Sequence, residues 1–303
     1  MSTWIVQAPG KLNICLYLGP TRDDGLHEIA SLFESVSLTD TLTARAAEGL
    51  NDRVICDAIE GENLAEQALR GAREAGLLDG PPLEVTIDKH VPIAAGMGGG
   101  SADAAAALRL AAAISGRPTS DYEQLAFALG ADVPSQLIPG AALVHGAGER
   151  VATIEPRCLA GAAERAYVIV EQQQGLSTAE VFRQSDRAGL PEPAIVQREE
   201  ALLERISSGI DLDEFCALVE NALEPAIVAL RPELSGLPAL LKSHGALSAA
   251  FTGSGPTSFG VFDGHRAAEH AALELISAGH LAHAAVPVGA DFAEPRAAQE
   301  AES

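Results

Sequence analysis

The sequence predicts an α+β protein of two domains. Short alternating segments recur among helical ones, a glycine-rich bend joins an extended segment to a run of alanines, and the pattern changes character near residue 155. A chain of 303 residues, 47% of them hydrophobic, buries a substantial core and is long enough to divide. The expected division is an N-terminal domain over 1–155, a C-terminal domain over 156–291 and a flexible tail over 292–303.

In the first half, "WIVQAPGKLNICLYL" reads as two short strands about a Pro-Gly turn, with Leu12, Ile14, Leu16 and Leu18 alternating against Asn13, Cys15 and Tyr17. That alternation places Lys11 and Asn13 together on the exposed face. "SLFESVSLTDTLTARA" is a further strand, and "NLAEQALRGAREAGL" has helical spacing with Gly76 near its end. "PLEVTIDKHVPI" is a strand that feeds the glycine bend, and residues 102–114 form the helix after it. "DYEQLAFALGADVPSQL" starts on an Asp cap and carries a helix to Gly130.

Beyond "ERVATIE", the stretch "EPRCLAGAAERA" reads as a domain linker. "YVIVEQQ" is then a strand, "STAEVFRQS" a capped helix, and residues 186–200, rich in Pro, Glu and Arg, a surface loop. Two helices around 211–230 and 232–244 precede "LSAAFTGSGPTSFGVF", two apolar strands broken by Gly253, Gly255 and Pro256. A helix at 265–278 and a strand at 283–288 close the order.

Charge excludes several functions. With 20 basic against 42 acidic residues the net charge is −22, which opposes nonspecific binding to nucleic acid or to an anionic membrane surface. Cys15, Cys56, Cys158 and Cys216 are widely spaced and suggest neither a zinc site nor a disulfide framework. The start "MSTWIVQAPGKLN" lacks the features of a signal peptide, and no apolar run approaches the roughly 18 residues of a membrane span, so a cytoplasmic location is expected.

"VPIAAGMGGGSADAAAALRL", residues 91–110, sets Gly96, Gly98, Gly99 and Gly100 at the entry to a helix. Consecutive backbone N–H groups at a helix N-terminus make a site for anions. A P-loop is excluded because no lysine follows the glycines, and a dinucleotide fingerprint because Ser101 stands in its last glycine place. Ser101 and Asp103 could have capped the helix without glycines, so the cluster points to a bound phosphate rather than to packing alone.

"PIAAGMGGGSADAAAAL" resembles the ATP-binding motif of the GHMP kinase superfamily, small-molecule kinases without a Walker lysine. "APGKLNICLYLGPTRDDGLHEIASLF", "LGADVPSQLIPGAALVHGAGE" and "FTGSGPTSFGVF" resemble three further motifs of the superfamily in the same order, over roughly residues 7–262. The resemblance implies a two-domain GHMP-kinase-like fold with nucleotide and substrate in the cleft between domains, and it implies ATP and Mg2+. It is strongest to the branch whose acceptor is cytidine diphosphate methylerythritol, phosphorylated on its 2-hydroxyl for isoprenoid precursors. Other members, acting on homoserine, mevalonate or a sugar, are the alternative, and a catalytically silent nucleotide or metabolite sensor is a third. The partner is a small molecule, and the protein itself a monomer or homodimer.

Phosphoryl transfer needs an acceptor hydroxyl in line with the γ-phosphate and neutralised equatorial charge. Asp132, in a Gly-Ala-Asp-Val-Pro turn, can accept the hydroxyl proton, although an Asx-turn or helix-end residue stabilising the bend before Pro134 fits the residues equally well. Lys11 can keep that carboxylate ionised, and the resemblance assigns catalysis to this pair. The ATP end comprises Pro92, Ile93, Ala94, Ala95, Gly96, Met97, Gly98, Gly99, Gly100, Ser101 and Ala102, with the Ser101 hydroxyl as candidate metal ligand. Asn63 and Lys89 resemble positions near the adenine, though Asn63 can equally cap the helix it precedes. Asn13 would line the acceptor site, and Gly253, Ser254, Gly255 and Thr257 would close against the phosphate loop. By resemblance His27 and the residue before it recognise cytosine. Leu26 stands where the family has tyrosine, and Phe182 is either a second wall or core. Ser135 also departs from the usual phenylalanine.

Overall fold

A computed structural model describes residues 3–59, 61, 63–159 and 165–298. Strands and helices alternate as the α+β expectation requires. In the first half β1 (Trp4–Thr21) and β2 (His27–Ala46) form a long antiparallel pair, followed by β3 (Arg53–Ile55), α1 (Leu64–Glu74), β4 (Leu83–Asp88) and α2 (Gly99–Ser115). Next come α3 (Glu123–Leu129), α4 (Val133–Gln136), β5 (Ala141–Gly146) and β6 (Arg150–Thr153). The second half holds β7 (Arg165–Glu171), α5 (Thr178–Ala188), α6 (Ile195–Ser207), α7 (Leu212–Cys216), β8 (Glu220–Asn221), α8 (Glu224–Leu230) and α9 (Leu237–Ser243). It ends with β9 (Ser248–Phe251), β10 (Ser258–Asp263), α10 (His265–Ser277), β11 (Leu281–Ala285) and β12 (Arg296–Ala297).

Eight strands form one sheet along β12-β1-β2-β4-β3, with β5 and β6 extending from β2 and β8 pairing with β1. A four-stranded antiparallel sheet runs β11-β7-β10-β9. One core lies between the larger sheet and helices α1 and α2, where Val6, Leu42 and Val85 meet Ala104, Leu108 and Ala111. Alanine is what lets α2 lie this deep: every residue from Ala102 to Ala112 is buried. A second core fills the space between the sheets, with Leu12, Ile14 and Leu32 on one side and Tyr167, Ile169 and Phe259 on the other. Across it Glu34 accepts from Arg165 and from the Tyr167 hydroxyl, a buried ionic contact between β2 and β7.

Several elements differ from their sequence reading. The Pro-Gly pair of residues 9–10 makes no turn: β1 runs through it with a register shift between Pro9 and Lys11. A bulge accommodates a residue that cannot donate to the ladder. Gly10 is there for proximity, since a Cβ would come within 3.2 Å of Met97 Cε and Val91 Cγ1. The helix expected from Asp121 instead begins as a 3₁₀ turn, Thr119–Tyr122. Residues 195–200, read as loop, belong to α6, whose Ile195, Leu202 and Ile206 are buried. The single helix expected over 211–230 is broken, because Asp211 and Glu214 form a capping box on the short α7 and β8 then pairs in parallel with β1. The stretch 292–298 carries β12, which pairs with Trp4 and Ile5. Buried Arg109, on α2, donates to Gln7 O (2.9 Å) and Ala293 O (2.8 Å) and so ties that stretch to β1. Residues 160–164 of the expected linker and 299–303 of the expected tail lie outside the described residues.

Candidate functional site

The register shift at Pro9 turns Lys11 inward, where its N–H donates to Met97 O at 3.0 Å and joins β1 to the glycine bend. This corrects the expected exposed face: the Lys11 side chain is only 5% exposed. Its Nζ donates to Asn13 Oδ1 (2.5 Å) and Gly96 O (3.0 Å), stands 4.6 Å from the Phe33 ring centroid, and lies 3.6 Å from Asp132 Oδ2. Burial lowers the Lys11 pKa, and the Asp132 carboxylate opposes that effect. Asp132 occupies the cap position of α4, yet its side chain makes no capping bond. Asp132 is thus a helix-end residue by position, as the alternative has it, but its carboxylate makes no capping bond and remains one-third exposed.

The glycine bend holds Ala94, Gly96 and Gly98 at φ of 52°, 81° and 66°, a region in which L side chains are strained. Contact also demands glycine, because a Cβ on Gly96 would lie 2.2 Å from Thr252 O. The helix begins at Gly99, three residues earlier than its alanine run suggested, with left-handed Gly98 in the cap position. Its first backbone bond is Ala102 N to Gly98 O (2.8 Å), so the amides of Gly99, Gly100 and Ser101 precede the helical ladder and point out of the N-terminus. A Cβ on Gly98 would meet Lys11 Cε at 3.3 Å and Asp132 Oδ2 at 3.6 Å. Anion-binding amides and an ammonium–carboxylate pair are thus neighbours.

A second glycine turn closes against the first. Thr252 Oγ1 accepts from Asn13 N (2.9 Å) and lies 3.4 Å from Gly96 O, while Asn13 Nδ2 donates to Ser31 Oγ (2.9 Å). Asn221 Nδ2 donates to Phe251 O (2.9 Å) and Gly253 O (2.8 Å), which fixes the turn from β8. Ser254 and Thr178 hydroxyls meet at 2.9 Å.

These parts enclose a cleft of about 550 Å³. Of the residues expected from sequence, Lys11, Asn13, Lys89, Pro92, Ile93, Ala94, Ala95, Gly96, Gly98, Gly99, Gly100, Ser101, Asp132, Phe182, Gly253 and Ser254 line it. Met97 and Ala102 are buried behind it in the cores. Gly255 packs toward Ile227 and Thr257 is buried, so neither lines it. Asn63 caps α1, its Oδ1 accepting from Glu66 N at 3.0 Å, as the capping alternative has it. Lys89 lines the cleft, but its ammonium is held by Asp40 and Asp103, the latter at 2.8 Å. Burial works against that charge, and the two carboxylates outweigh it and raise the Lys89 pKa. Asp103 is pushed up to about 7 by burial beside Asp40, with Lys89 opposing. Leu26 is about half exposed and does not line the cleft. His27 stands behind Phe182, ring centroids 5.1 Å apart. Burial takes the Cys15 thiol up to about 12, consistent with an inert side chain.

Thr252, Asn221, Thr178 and Phe33 complete the site and were not singled out from sequence. Each acts through a partner far away in the chain; only the Gly-Ser-Gly turn next to Thr252 gave any signal.

Models of the GHMP kinases N terminal domain and of the GHMP kinases C terminal domain match residues 63–140 and 199–281. A Streptomyces coelicolor protein named 4-diphosphocytidyl-2-C-methyl-D-erythritol kinase is 38% identical over 94% of this chain and 96% of its own. The chain belongs to the 4-diphosphocytidyl-2-C-methyl-D-erythritol kinase family of GHMP kinases. A second relative of that name, from Nocardioides, is 38% identical over 91% of this chain and 94% of its own. A crystal structure of 4-(cytidine 5'-diphospho)-2C-methyl-D-erythritol kinase superposes with a TM-score of 0.73 at 29% identity, covering 94% and 99% of the two chains. A mevalonate kinase, at 11% identity and a TM-score of 0.70 over 93% and 98%, shares the fold alone. The GHMP resemblance carried by the four motifs is borne out. Among the described residues, no helix is long and apolar enough to cross a membrane.

Proposed function

We propose that this chain transfers the γ-phosphoryl group of ATP to the 2-hydroxyl of 4-diphosphocytidyl-2-C-methyl-D-erythritol. The observation that carries the mechanism is the Lys11–Asp132 pair, 3.6 Å apart and directly beside the Gly98 cap of α2. Asp132 accepts the proton of the acceptor hydroxyl as its oxygen bonds to the γ-phosphorus, and the bond to the β-bridging oxygen breaks to release ADP. Lys11 pairs with Asp132 and orients the acceptor oxygen, itself fixed by Asn13 and Gly96 O.

The amides of Gly99, Gly100 and Ser101 receive the phosphates, in a cradle that side chains at Gly96 and Gly98 would fill. Among the described residues no group of three or more His, Cys, Asp or Glu could hold a metal. The Ser101 hydroxyl, which lines the cleft, would hold magnesium, which would neutralise phosphate charge there. The acceptor's base lies toward Phe182 and His27. We place the enzyme in the cytoplasm, with the chain dividing near residue 155.

A coupled ADP-release assay with this acceptor, ATP and magnesium tests the reading, with homoserine, mevalonate and sugars in parallel. ADP release with the cytidine compound alone is expected. Turnover confined to another acceptor overturns the substrate, and none with any acceptor overturns the kinase mechanism.

A further inference from the structure

We propose that Ser31 is a positioning residue for phosphoryl transfer: it fixes the Asn13 carboxamide so that its oxygen meets the Lys11 ammonium and holds that ammonium in place beside Asp132. This rests on the mechanism proposed above. Four groups form a chain in which each hydrogen has one place to go. An ammonium only donates, so the Asn13 atom 2.5 Å from Lys11 Nζ is its oxygen. The amide nitrogen is then the atom 2.9 Å from Ser31 Oγ, and it too only donates. Ser31 Oγ therefore accepts, which leaves its single hydrogen for Cys15 O, at 2.5 Å. Ser31 is fully buried and Asn13 nearly so, and water offers neither a substitute partner.

Two paired strands supply the chain. Lys11, Asn13 and Cys15 belong to β1, while Ser31 and Phe33, two residues apart, belong to β2, and the Phe33 ring stands 4.6 Å from Lys11 Nζ. With the amide fixed, the ammonium has Asn13 Oδ1 and Gly96 O as acceptors and Asp132, from the cap position of α4, as its counter-ion. Removing the Ser31 hydroxyl leaves Asn13 Nδ2 a buried donor without an acceptor, and the amide must turn or shift to find another. That movement takes Oδ1 off its line to Lys11, and a buried ammonium deprived of an acceptor gives up its proton more readily. Ser31 does not line the cleft, so it acts through Asn13 rather than on a ligand.

The test joins titration to kinetics. Lys11, Lys89 and Lys242 are the lysines of the chain, so the 13Cε signals of lysine-labelled protein can be followed singly, with Lys11 identified by its loss in Lys11→Arg. Ser31→Ala is expected to move the Lys11 titration to lower pH by about 1 pH unit and to lower kcat by about 3–10-fold, with the KM for ATP changed by about twofold or less. Asn13→Ala removes the intermediary, and in that background Ser31→Ala should move neither quantity further. Ser31→Cys, close to serine in shape but with a weakly bonding thiol, should act in the same direction and serves if the alanine variant does not fold. An unmoved Lys11 titration, or an equal shift with Asn13 absent, overturns the proposal. So does a kcat that falls only in step with the folded fraction read from melting curves. Wild-type turnover combined with an unmoved titration in the variants overturns the Ser31 role alone. Wild-type protein that turns over no acceptor overturns the phosphoryl-transfer mechanism, and the Ser31 role with it.

Discussion

The glycine-bend end of the cleft is built from main chain, and the Lys11 end from side chains. Around Gly96–Ser101 the anion-binding groups are amides, and Gly96 carries no side chain because a Cβ there would lie 2.2 Å from Thr252 O. Around Lys11 the groups are an ammonium, a carboxylate and a carboxamide, each set by another side chain or carbonyl. The difference teaches that one end fails when atoms are added and the other when they are exchanged.

The largest effect expected on the side-chain end is from Asp132→Asn, which is isosteric but cannot take a proton. Steady-state kinetics should show kcat lowered by about 10²–10⁴-fold, with ATP affinity changed only a few-fold. Unchanged kcat would remove Asp132 from the chemistry.

On the main-chain end, Gly96→Ala should displace both glycine turns, since neither the Thr252 carbonyl nor a φ of 81° accommodates a methyl group. A KM for ATP raised about tenfold or more and a lowered Tm are expected, with backbone strain alone about 1–3 kcal/mol. Gly100→Ala sharpens the contrast, because its Cβ meets only Leu64 Cδ1, at 3.8 Å. The protein should melt no lower, helix propensity favouring alanine by roughly 0.5–1 kcal/mol, while the KM for ATP still rises. An unchanged KM would show that phosphate does not press on that turn.

A milder test concerns pH. Lys11 works as a cation, and burial holds its pKa below the ordinary 10.5 despite Asp132. Loss of its proton should therefore bend the alkaline limb of log kcat downward below pH 10.5. A limb at or above that value would mean that Lys11 is hydrated in the working enzyme.

The smallest effect is expected from Leu26→Tyr. Leu26 is half exposed, so a ring fits there, and stacking contributes on the order of 1–3 kcal/mol per base. KM for the cytidine compound should fall by about tenfold or less; no change would assign the base to Phe182 alone.

Much of this was legible from local pattern. The glycine bend, the shared face of Lys11 and Asn13, and the succession of strands and helices in the first half follow from short-range rules of spacing and backbone freedom. What escaped depends on distant partners. The Pro9-Gly10 pair looks like a turn until Met97 and Val91 are seen packed against Gly10. Asn221 looks like part of a helix until the carbonyls of Phe251 and Gly253 claim its amide. Lys89 looked available for a ligand because nothing nearby in sequence announces Asp40 as its counter-ion. Residues 195–200 carry charge and follow two prolines, which hid the apolar spacing completed only at Leu202 and Ile206.

Arg109 has a consequence at the far end of the polypeptide. Burial lowers its pKa to about 9, and the acceptors of its terminal nitrogens are two carbonyls, one of them contributed by Ala293. A truncation ending before that residue would strand a guanidinium in the interior with one of its terminal nitrogens left without that acceptor. The turn at Ala293 is thus a plug for a cationic socket, and removing it should lower the Tm although it lies outside the cleft lining.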